Sequence, residues 1–455
     1  MKIKVFNTLS GKEEALTTLD PKHLKMYVCG PTVYDRPHLG NARSVVVYDM
    51  FFRFFKMAFE RVTYVRNITD VDDKINAAAL AQGVSIQELT QKITQFFYDD
   101  INALNVLSPT FEPRATQHIS EMIVMIEQLI ANGHAYVASG HVLFDVASYK
   151  NYGALSNRNL DEMIAGSRVE IATYKKNPLD FVLWKPADAQ DDISSVFESP
   201  WGKGRPGWHI ECSAMSSKYL GANFDVHGGG ADLQFPHHEN EIAQSCCANV
   251  GSHYATCWIH NGFLTVNGEK MSKSLKNFIT VRDLLDKGVN GVVIRYLLLS
   301  THYRKPFDYN QKALDDAQKS IEKFYSVLDL ETLKLAKNKK PTDQILQCLA
   351  DDLNISKATA LLHEMVKEIK TNATQAKKEE LAASLDFLGL VDEKFFDKKD
   401  NNFDESYIQS QIDLRLKMKV EKNFIKADEI RKELLAQGIL LEDVSKEKTI
   451  WKLSA

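Results

Sequence analysis

The pattern of apolar and polar positions predicts a chain that opens in a parallel α/β unit and closes in amphipathic helices. Residues 26–29 (MYVC) are a short apolar run stopped by Gly30-Pro31, the signature of a buried strand meeting a turn. From Leu39 the run NARSVVVYDMFFRFFKMAFE is apolar enough for a buried helix, and residues 61–67 (RVTYVRN) are rich in strand formers. Strand, helix and strand in about 45 residues make a βαβ unit and therefore a parallel sheet. Residues 74–107 read as helical. The texture changes over 113–200, where 134–146 (HAYVASGHVLFDV) predict a hairpin, 178–186 (PLDFVLWKP) a further strand and 188–199 an exposed loop; this segment reads as an insertion between two halves of the α/β domain. Residues 208–220 predict a helix, 223–227 a strand, 228–230 a flexible glycine turn, 237–250 a helix opening after Pro236, 258–266 a strand and 267–277 a loop. Beyond residue 310 the period is helical, through 343–388, with a charged linker at 394–402. A final helix to Gly438 and two strands (ILLEDV, TIWKL) complete the chain. The expected divisions are 1–112, 113–200, 201–266, 267–310, 311–395 and 396–455.

Composition narrows the class. The 455 residues are 44% hydrophobic and 25% charged, which excludes disorder and collagen as descriptions of the whole. No apolar run approaches the ~20 residues of a membrane helix. The first residues, MKIKVFNTLSGKEE, contain no apolar signal core, so the expected location is cytoplasmic. A net charge of −4 argues against a protein that merely coats nucleic acid, but leaves room for a polyanion held by local patches. Six cysteines in a chain of this length and context are not a disulfide scaffold. Four of them lie with six of the thirteen histidines between residues 209 and 260, a density that points to a site. The four lysines of 334–341 (KLAKNKKP) read as a solvated helix end and linker, with an RNA-phosphate contact as the alternative.

Three apparent motifs dissolve in context. Gly202-Lys203-Gly204-Arg205-Pro206-Gly207 fits G-x-G-x-x-G but is interrupted by Pro206 and follows no strand. The oxyanion-like His227-Gly228-Gly229-Gly230 has no nucleophile elbow to serve. His238-Glu239 lacks the second histidine of a zinc protease. Three constellations survive. His237 and Glu241 lie four apart on a predicted helix, and His238 and Glu241 three apart, so either histidine can share a face with the carboxylate. Cys212 on the preceding helix and Cys29 at the end of the first strand can reach the same place, and such a donor set suits zinc. His38, Gly40 and Asn41 sit where the first helix begins, with free N–H groups suited to phosphate. Lys270, Ser272, Lys273 and Ser274 form a loop able to clamp a triphosphate.

These blocks carry a resemblance. H-L-G-N near the first strand and K-M-S-K-S after a split α/β domain resemble the signatures of class I aminoacyl-tRNA synthetases. More narrowly, MYVCGPTVYD, RNITDVDDKI, DFVLWK, PGWHIECS, HGGGADLQFPHHENEIAQ and NGEKMSKSLKN resemble the cysteinyl-tRNA synthetase family, over nearly the whole chain. The resemblance implies a Rossmann-like α/β catalytic domain split by a connective insertion near the tRNA acceptor end, then a helical tRNA-binding bundle holding Asp351, Asp352 and Asn354, and a small mixed α/β anticodon-binding module. It implies activation of L-cysteine by ATP with Mg2+, and transfer to tRNA(Cys) by a cytoplasmic monomer. One zinc ion would be held by Cys29, Cys212, His237 and Glu241, taking the substrate thiolate and so rejecting serine without a separate editing site. ATP would be met by His38, Gly40, Asn41, Asp232, Lys270 and Lys273, with His38, Asn41 and the two lysines in catalytic roles. Thr32, Thr69, Trp208, His209 and His227 would surround the amino acid. Asp428, Arg431, Asp443 and Trp451 would read the anticodon, beside Lys419 and Phe424 where the family often has arginine and tryptophan. A relative that joins activated cysteine to an amino-sugar would share the zinc and phosphate motifs but lack the ~145 residues of the tail.

Overall fold

An antiparallel hairpin, β1 (Lys4–Asn7) and β2 (Lys12–Ala15), leads into β3 (His23–Val28), helix α1 (Leu39–Ala58) and β4 (Arg61–Arg66). This computed structural model describes residues 2–158, 172–188, 191–271, 277–396, 405–421, 423–436, 439–443 and 449–453. β3 and β4 pair in parallel, with α1 as their crossover. The predicted helix at 74–107 is two helices, α2 (Asp73–Gln82) and α3 (Ile86–Ala103). Gly83 ends the first in the left-handed region at φ 63°, and Ser85 opens the second in a capping box with Glu88.

Helix α4 (Ile119–Ala131) precedes a four-stranded antiparallel sheet of β5 (Ala135–Ala138), β6 (His141–Phe144), β7 (Phe181–Pro186) and β8 (Gly204–Pro206). The chain then returns to the central sheet through α5 (Trp208–Leu220), β9 (Asn223–Gly230), a π-type turn at Gln234–His238, α6 (Glu239–Ala248) and β10 (Tyr254–Asn261). The inserted segment shares one apolar core with that return: Met122, Ile126, Val142, Phe144 and Trp184 pack in the same cluster as Met215, Phe224 and Trp258. The central sheet is parallel, in the order β10-β9-β3-β4. Its connections run in opposite directions from β3 and β9, so the crevice between their carboxyl ends is the topological switch point.

Three local expectations are corrected here. Gly228–Gly230 are not a flexible turn; they continue β9, pairing with Ile259, His260 and Asn261. They are glycines because the strand is crowded: a Cβ at Gly228 would collide with the Tyr48 ring, and one at Gly229 would sit 2.7 Å from His238 Cε1. The strand expected at 258–266 is broken into β10 and β11 (Leu264–Val266) at Gly262-Phe263, where a Cβ on Gly262 would meet the Lys305 carbonyl at 2.6 Å. The loop expected from 267 begins as a tight hairpin. Asn267 and Gly268, both at positive φ (52° and 82°), join β11 to β12 (Glu269–Lys270), as a two-residue Asn-Gly turn does. β13 (Phe307–Tyr309) adds in parallel to β11.

Helices follow at Val281–Asp286, Gly291–Leu299, Gln311–Tyr325, Leu330–Ala336, Asp343–Ala350, Ile355–Thr371 and Gln375–Phe387. The chain divides into two compact units, Met1–Asp392 and Glu393–Ala455. In the second, the single expected helix is two, Glu405–Val420 and Phe424–Ala436, interrupted near Asn423. Strands Ile439–Asp443 and Thr449–Leu453 pair antiparallel, and Ile408, Ile412, Ile430, Leu434, Ile439 and Leu441 form that unit's core. Among the described residues no helix is long and apolar enough to cross a membrane.

Candidate functional site

Three chain segments converge at the switch point. Cys29 follows β3, Cys212 lies on α5, and His237 and Glu241 lie across the turn into α6. Their donor atoms all fall within 4.8 Å of one another, as do those of a second set, Cys29, His227, His238 and Glu241. The sulfurs of Cys29 and Cys212 are 3.6 Å apart, Cys29 Sγ is 3.4 Å from Glu241 Oε1, and His237 Nε2 is 3.1 Å from the same oxygen. Around a tetrahedral zinc ion the corresponding separations would be about 3.8, 3.5 and 3.3 Å. His238 Nε2 lies 3.3 Å from Cys29 Sγ but 3.9 Å from Glu241 Oε1, so the carboxylate edge fits His237 better. The donor set of two sulfurs, one nitrogen and one oxygen fits a borderline ion.

A buried shell holds these donors. His227, fully buried, contacts Glu241 Oε2 through Nε2 at 2.9 Å and stacks on Trp258. The Tyr254 hydroxyl donates to the same oxygen at 2.9 Å. Burial pushes the Glu241 carboxyl up, but the His227 and His237 imidazoles and these hydrogen bonds outweigh it and hold the group below its usual range. Burial lowers His237 to about 4, leaving a neutral imidazole, the form a metal takes. Burial also pushes the Cys29 thiol up. At Cys212 the contact with Cys29 pulls the thiol down, while burial and the Glu241 charge raise it further, for a net rise. His238 is held by His260 through Nδ1 at 2.8 Å, which leaves its Nε2 toward Cys29, and the His260 ring in turn contacts Thr8 Oγ1.

Of the residues expected near an amino acid, Trp208 and His209 touch His237 directly. Trp208, 38% exposed, stacks on the His237 ring at 4.1 Å, and His209 Nδ1 lies 3.0 Å from His237 Nδ1. Thr32 and Thr69 bridge two adjacent turns through their backbones, and the Thr69 hydroxyl donates to the buried Glu211 at 3.0 Å. His227 belongs to the layer behind Glu241.

The phosphate-type constellation lies at the start of α1. His38 is the N-cap: the Asn41 amide donates to its Nδ1 at 3.2 Å, and the His38 amide donates to Asn41 Oδ1 at 3.2 Å. Accepting at Nδ1 puts the proton of the neutral ring on Nε2. Burial lowers the His38 imidazole, opposed by the Asp232 carboxylate, which places Asp232 in electrostatic reach of this turn. Gly40 keeps the turn open, since a Cβ there would press on the His38 ring at 2.8 Å and lie 3.4 Å from Met271 Cε. Beyond the lysine-rich segment the chain comes back: the Leu39 amide donates to the Ile279 carbonyl, and Phe278 meets the His38 ring edge-on. Lys270 ends β12, paired with Thr265. Ser272, Lys273 and Ser274 lie outside the described residues.

In the second unit, Asp428 and Arg431 are exposed on one helix. Asp443 is engaged inside the unit, accepting from Arg415 at 2.8 and 3.1 Å and from Lys419 at 2.7 Å, and these bonds hold its carboxyl far below the usual range. Trp451 is partly buried against the small core. The lysines at 339 and 340 pair with Glu379 and Asp343.

Reading the sequence did not single out Tyr254, Glu211, Tyr48 or Arg43, and it counted His260 only as one of the clustered histidines. Tyr254 opens β10 at a positive φ of 65°, unusual for a bulky residue, with its hydroxyl bonded to Glu241 and Ser216. The Tyr48 hydroxyl accepts from the Gly229 amide at 2.6 Å. The signal for Tyr48 was available, because the Gly228-Gly229 pair in a strand marks a close approach.

The parallel sheet, its switch-point cluster and the capped phosphate-type turn together define a class I tRNA synthetase catalytic domain. Residues 15–319 match the family described as tRNA synthetases class I (C) catalytic domain, and residues 344–391 match the DALR domain. The chain is 52% identical over 458 residues to a cysteine-tRNA ligase of Rickettsia prowazekii (strain Madrid E), covering 99% of this chain and all of that one. It is equally similar, 52% over 454 residues, to a cysteine-tRNA ligase of Ehrlichia canis (strain Jake), covering 98% and 99%. In fold it resembles Mycobacterium tuberculosis methionyl-tRNA synthetase in complex with methionyl-adenylate, at a TM-score of 0.55 and 17% identity, with 89% of this chain and 88% of that one covered. The chain belongs to the cysteine-tRNA ligase family, and it is an ATP-dependent aminoacyl-tRNA ligase.

Proposed function

We propose that this chain activates L-cysteine with ATP and passes it to tRNA(Cys), and that Cys29, Cys212, His237 and Glu241 hold a zinc ion that selects the substrate by its sulfur. The observation that carries this reading is the meeting of two cysteine sulfurs 3.6 Å apart with His237 and Glu241 at the switch point. When bound, the ion supplies a Lewis acid that favours a thiolate over serine's high-pKa hydroxyl. The protein's share is to keep His237 neutral and Glu241 charged and oriented, the latter through His227 and Tyr254. Trp208, His209, Thr32 and Thr69 enclose the rest of the amino acid.

His38 gives a hydrogen bond from its Nε2–H to the α-phosphate and so stabilises the charge that develops as the carboxylate attacks, with Gly40 giving the backbone room and Asn41 holding the ring. Lys270 and Lys273 hold the β- and γ-phosphates, with the Mg2+ that accompanies ATP, as pyrophosphate leaves. Asp232 takes the ribose. Residues 113–200 face the acceptor end, 267–310 contact the tRNA stem, 311–395 form a tRNA-binding helical bundle, and 396–455 read the anticodon through Asp428, Arg431 and Trp451, with Asp443 setting the geometry of Arg415 and Lys419. The chain acts as a monomer.

The test is ATP–pyrophosphate exchange with each of the twenty amino acids, with zinc measured on the same sample. Exchange with cysteine alone and one zinc per chain is expected. Comparable exchange with serine, or full exchange in zinc-free protein, overturns the reading.

A further inference from the structure

Arg43 is fully buried in the second turn of α1, two residues after Asn41. Among the described residues no carboxylate pairs with it. Its guanidinium instead gathers backbone carbonyls: Gly262 at 2.8 Å, Phe263 at 2.9 Å, His302 at 3.3 Å, Tyr303 at 3.5 Å and Lys305 at 2.7 Å. Its Nε has no partner. Burial lowers it to about 10, so it stays charged at neutral pH. A buried cation without a counter-ion is costly, and a carbonyl cage is a weaker partner than a carboxylate. Most of the other buried positions of the helix are apolar, Asp49 being the charged exception, and Asp49 pairs with Arg53 and Arg295 rather than with Arg43.

The place of the carbonyls gives the reason. Gly262 and Phe263 are the two residues between β10 and β11, and 302–305 lead into β13. β11 and β13 are the paired strands from which the Lys270 hairpin projects, and Asp308 on β13 ties that hairpin by accepting from Thr265 and the Gly268 amide, both at 2.7 Å. The 302–304 segment is anchored in turn on Asp352, which accepts from the Tyr303 hydroxyl at 2.6 Å and Arg304 Nε at 2.7 Å. One planar, five-donor group thus joins the helix that starts at His38 to the root of the strand pair that carries Lys270.

We propose that Arg43 is a positioning residue for adenylate formation: it sets the distance between the α-phosphate turn and the lysine-bearing hairpin, and so governs the rate of activation without touching a substrate. The proposal rests on the reading of Lys270 as a phosphate ligand. A lysine at position 43 keeps the charge but has one ammonium for carbonyls on two separate segments, and a methionine keeps only the volume.

The experiment uses the full chain with Arg43→Met and Arg43→Lys, and Leu362→Ala in the buried core of Ile355–Thr371 as a variant destabilised elsewhere. ATP–pyrophosphate exchange gives kcat and the KM of ATP and of cysteine; thermal midpoints give stability. Misplacement of about 1 Å costs up to roughly 100-fold, so Arg43→Met is expected to lower kcat roughly 10- to 100-fold with the KM of cysteine unchanged, and Arg43→Lys to recover part of it. Leu362→Ala should lose stability and keep kcat. Equal kcat per folded molecule in Arg43→Met and Leu362→Ala overturns the proposal, as does a cysteine KM that moves as far as kcat. If Arg43→Met does not fold, a wild-type kcat in Arg43→Lys overturns it. Lys270→Ala run alongside separates the two levels: unchanged exchange there defeats the phosphate reading, while slow exchange there with fast Arg43 variants defeats this inference alone.

Discussion

The pH dependence of metal binding distinguishes the two donor sets that meet at Glu241. Metals take deprotonated ligands, so each donor that carries a proton in the free protein must release it, and each released proton steepens the logarithm of affinity by one per pH unit. In the Cys29, Cys212, His237 and Glu241 set, His237 is lowered to about 4 by burial, and Glu241 lies below the usual carboxyl range despite its burial. Neither holds a proton near neutrality. Both thiols do, because burial raises Cys29, and burial with the Glu241 charge outweighs the pull of Cys29 on Cys212. Two protons leave, so zinc affinity should rise about 100-fold per pH unit from about pH 6 to 8, and fall by the same factor as acid returns protons to sulfur. The alternative set has one thiol and predicts about tenfold per pH unit. Cys212→Ser should weaken binding and convert the steep dependence to the shallow one. Competition against a chromophoric chelator of known proton linkage measures both slopes. A wild-type slope near one, unchanged by Cys212→Ser, would refute the assignment of Cys212 as a ligand.

Tyr254→Phe removes a hydrogen bond to Glu241 with little change of shape, and should lower zinc affinity by about 10- to 100-fold in the same competition assay; unaltered affinity would show that His227 alone orients the carboxylate. Lys273→Ala should slow pyrophosphate exchange by roughly 10²–10³-fold while tRNA affinity, read by filter binding, stays put. Unchanged exchange would remove that lysine from the phosphate site. A chain ending at Asp392, the boundary of the first compact unit, should keep exchange and lose aminoacylation at limiting tRNA. Undiminished aminoacylation would sink the anticodon role of the last residues. Gly228→Ala forces a methyl group against the Tyr48 ring and should cost about 1–3 kcal/mol in chemical denaturation of the first unit; a neutral result would mean that Tyr48 swings away freely.

Much of the site was readable because its chemistry is local. His237 and Glu241 are four residues apart, and His38, Gly40 and Asn41 share one helical turn, so spacing alone put each group on a common face. The breaks that interrupt the expected helix and loop have local signals too. Asn267-Gly268 is a strong hairpin pair, and Gly83 followed by Ser85 and Glu88 is a helix stop and a capping box. They were obscured by flanking sequence that reads continuously as loop or as helix.

Local patterning by itself determined the βαβ start, the helical second half, the small terminal module and the residue types that gather between positions 209 and 260. It determined these because backbone propensity, periodicity and ligand spacing act over a few residues. What only the tertiary structure decided depends on contacts across the chain. The Gly228-Gly229 pair is strand rather than turn because Tyr48, some 180 residues earlier, occupies the space a side chain would need. The edge distances that favour His237 over His238 arise where α5, α6 and β3 meet. Arg43 looks from sequence like an interruption of an apolar helix; it becomes intelligible only where the carbonyls of residues 262–263 and 302–305 close around it.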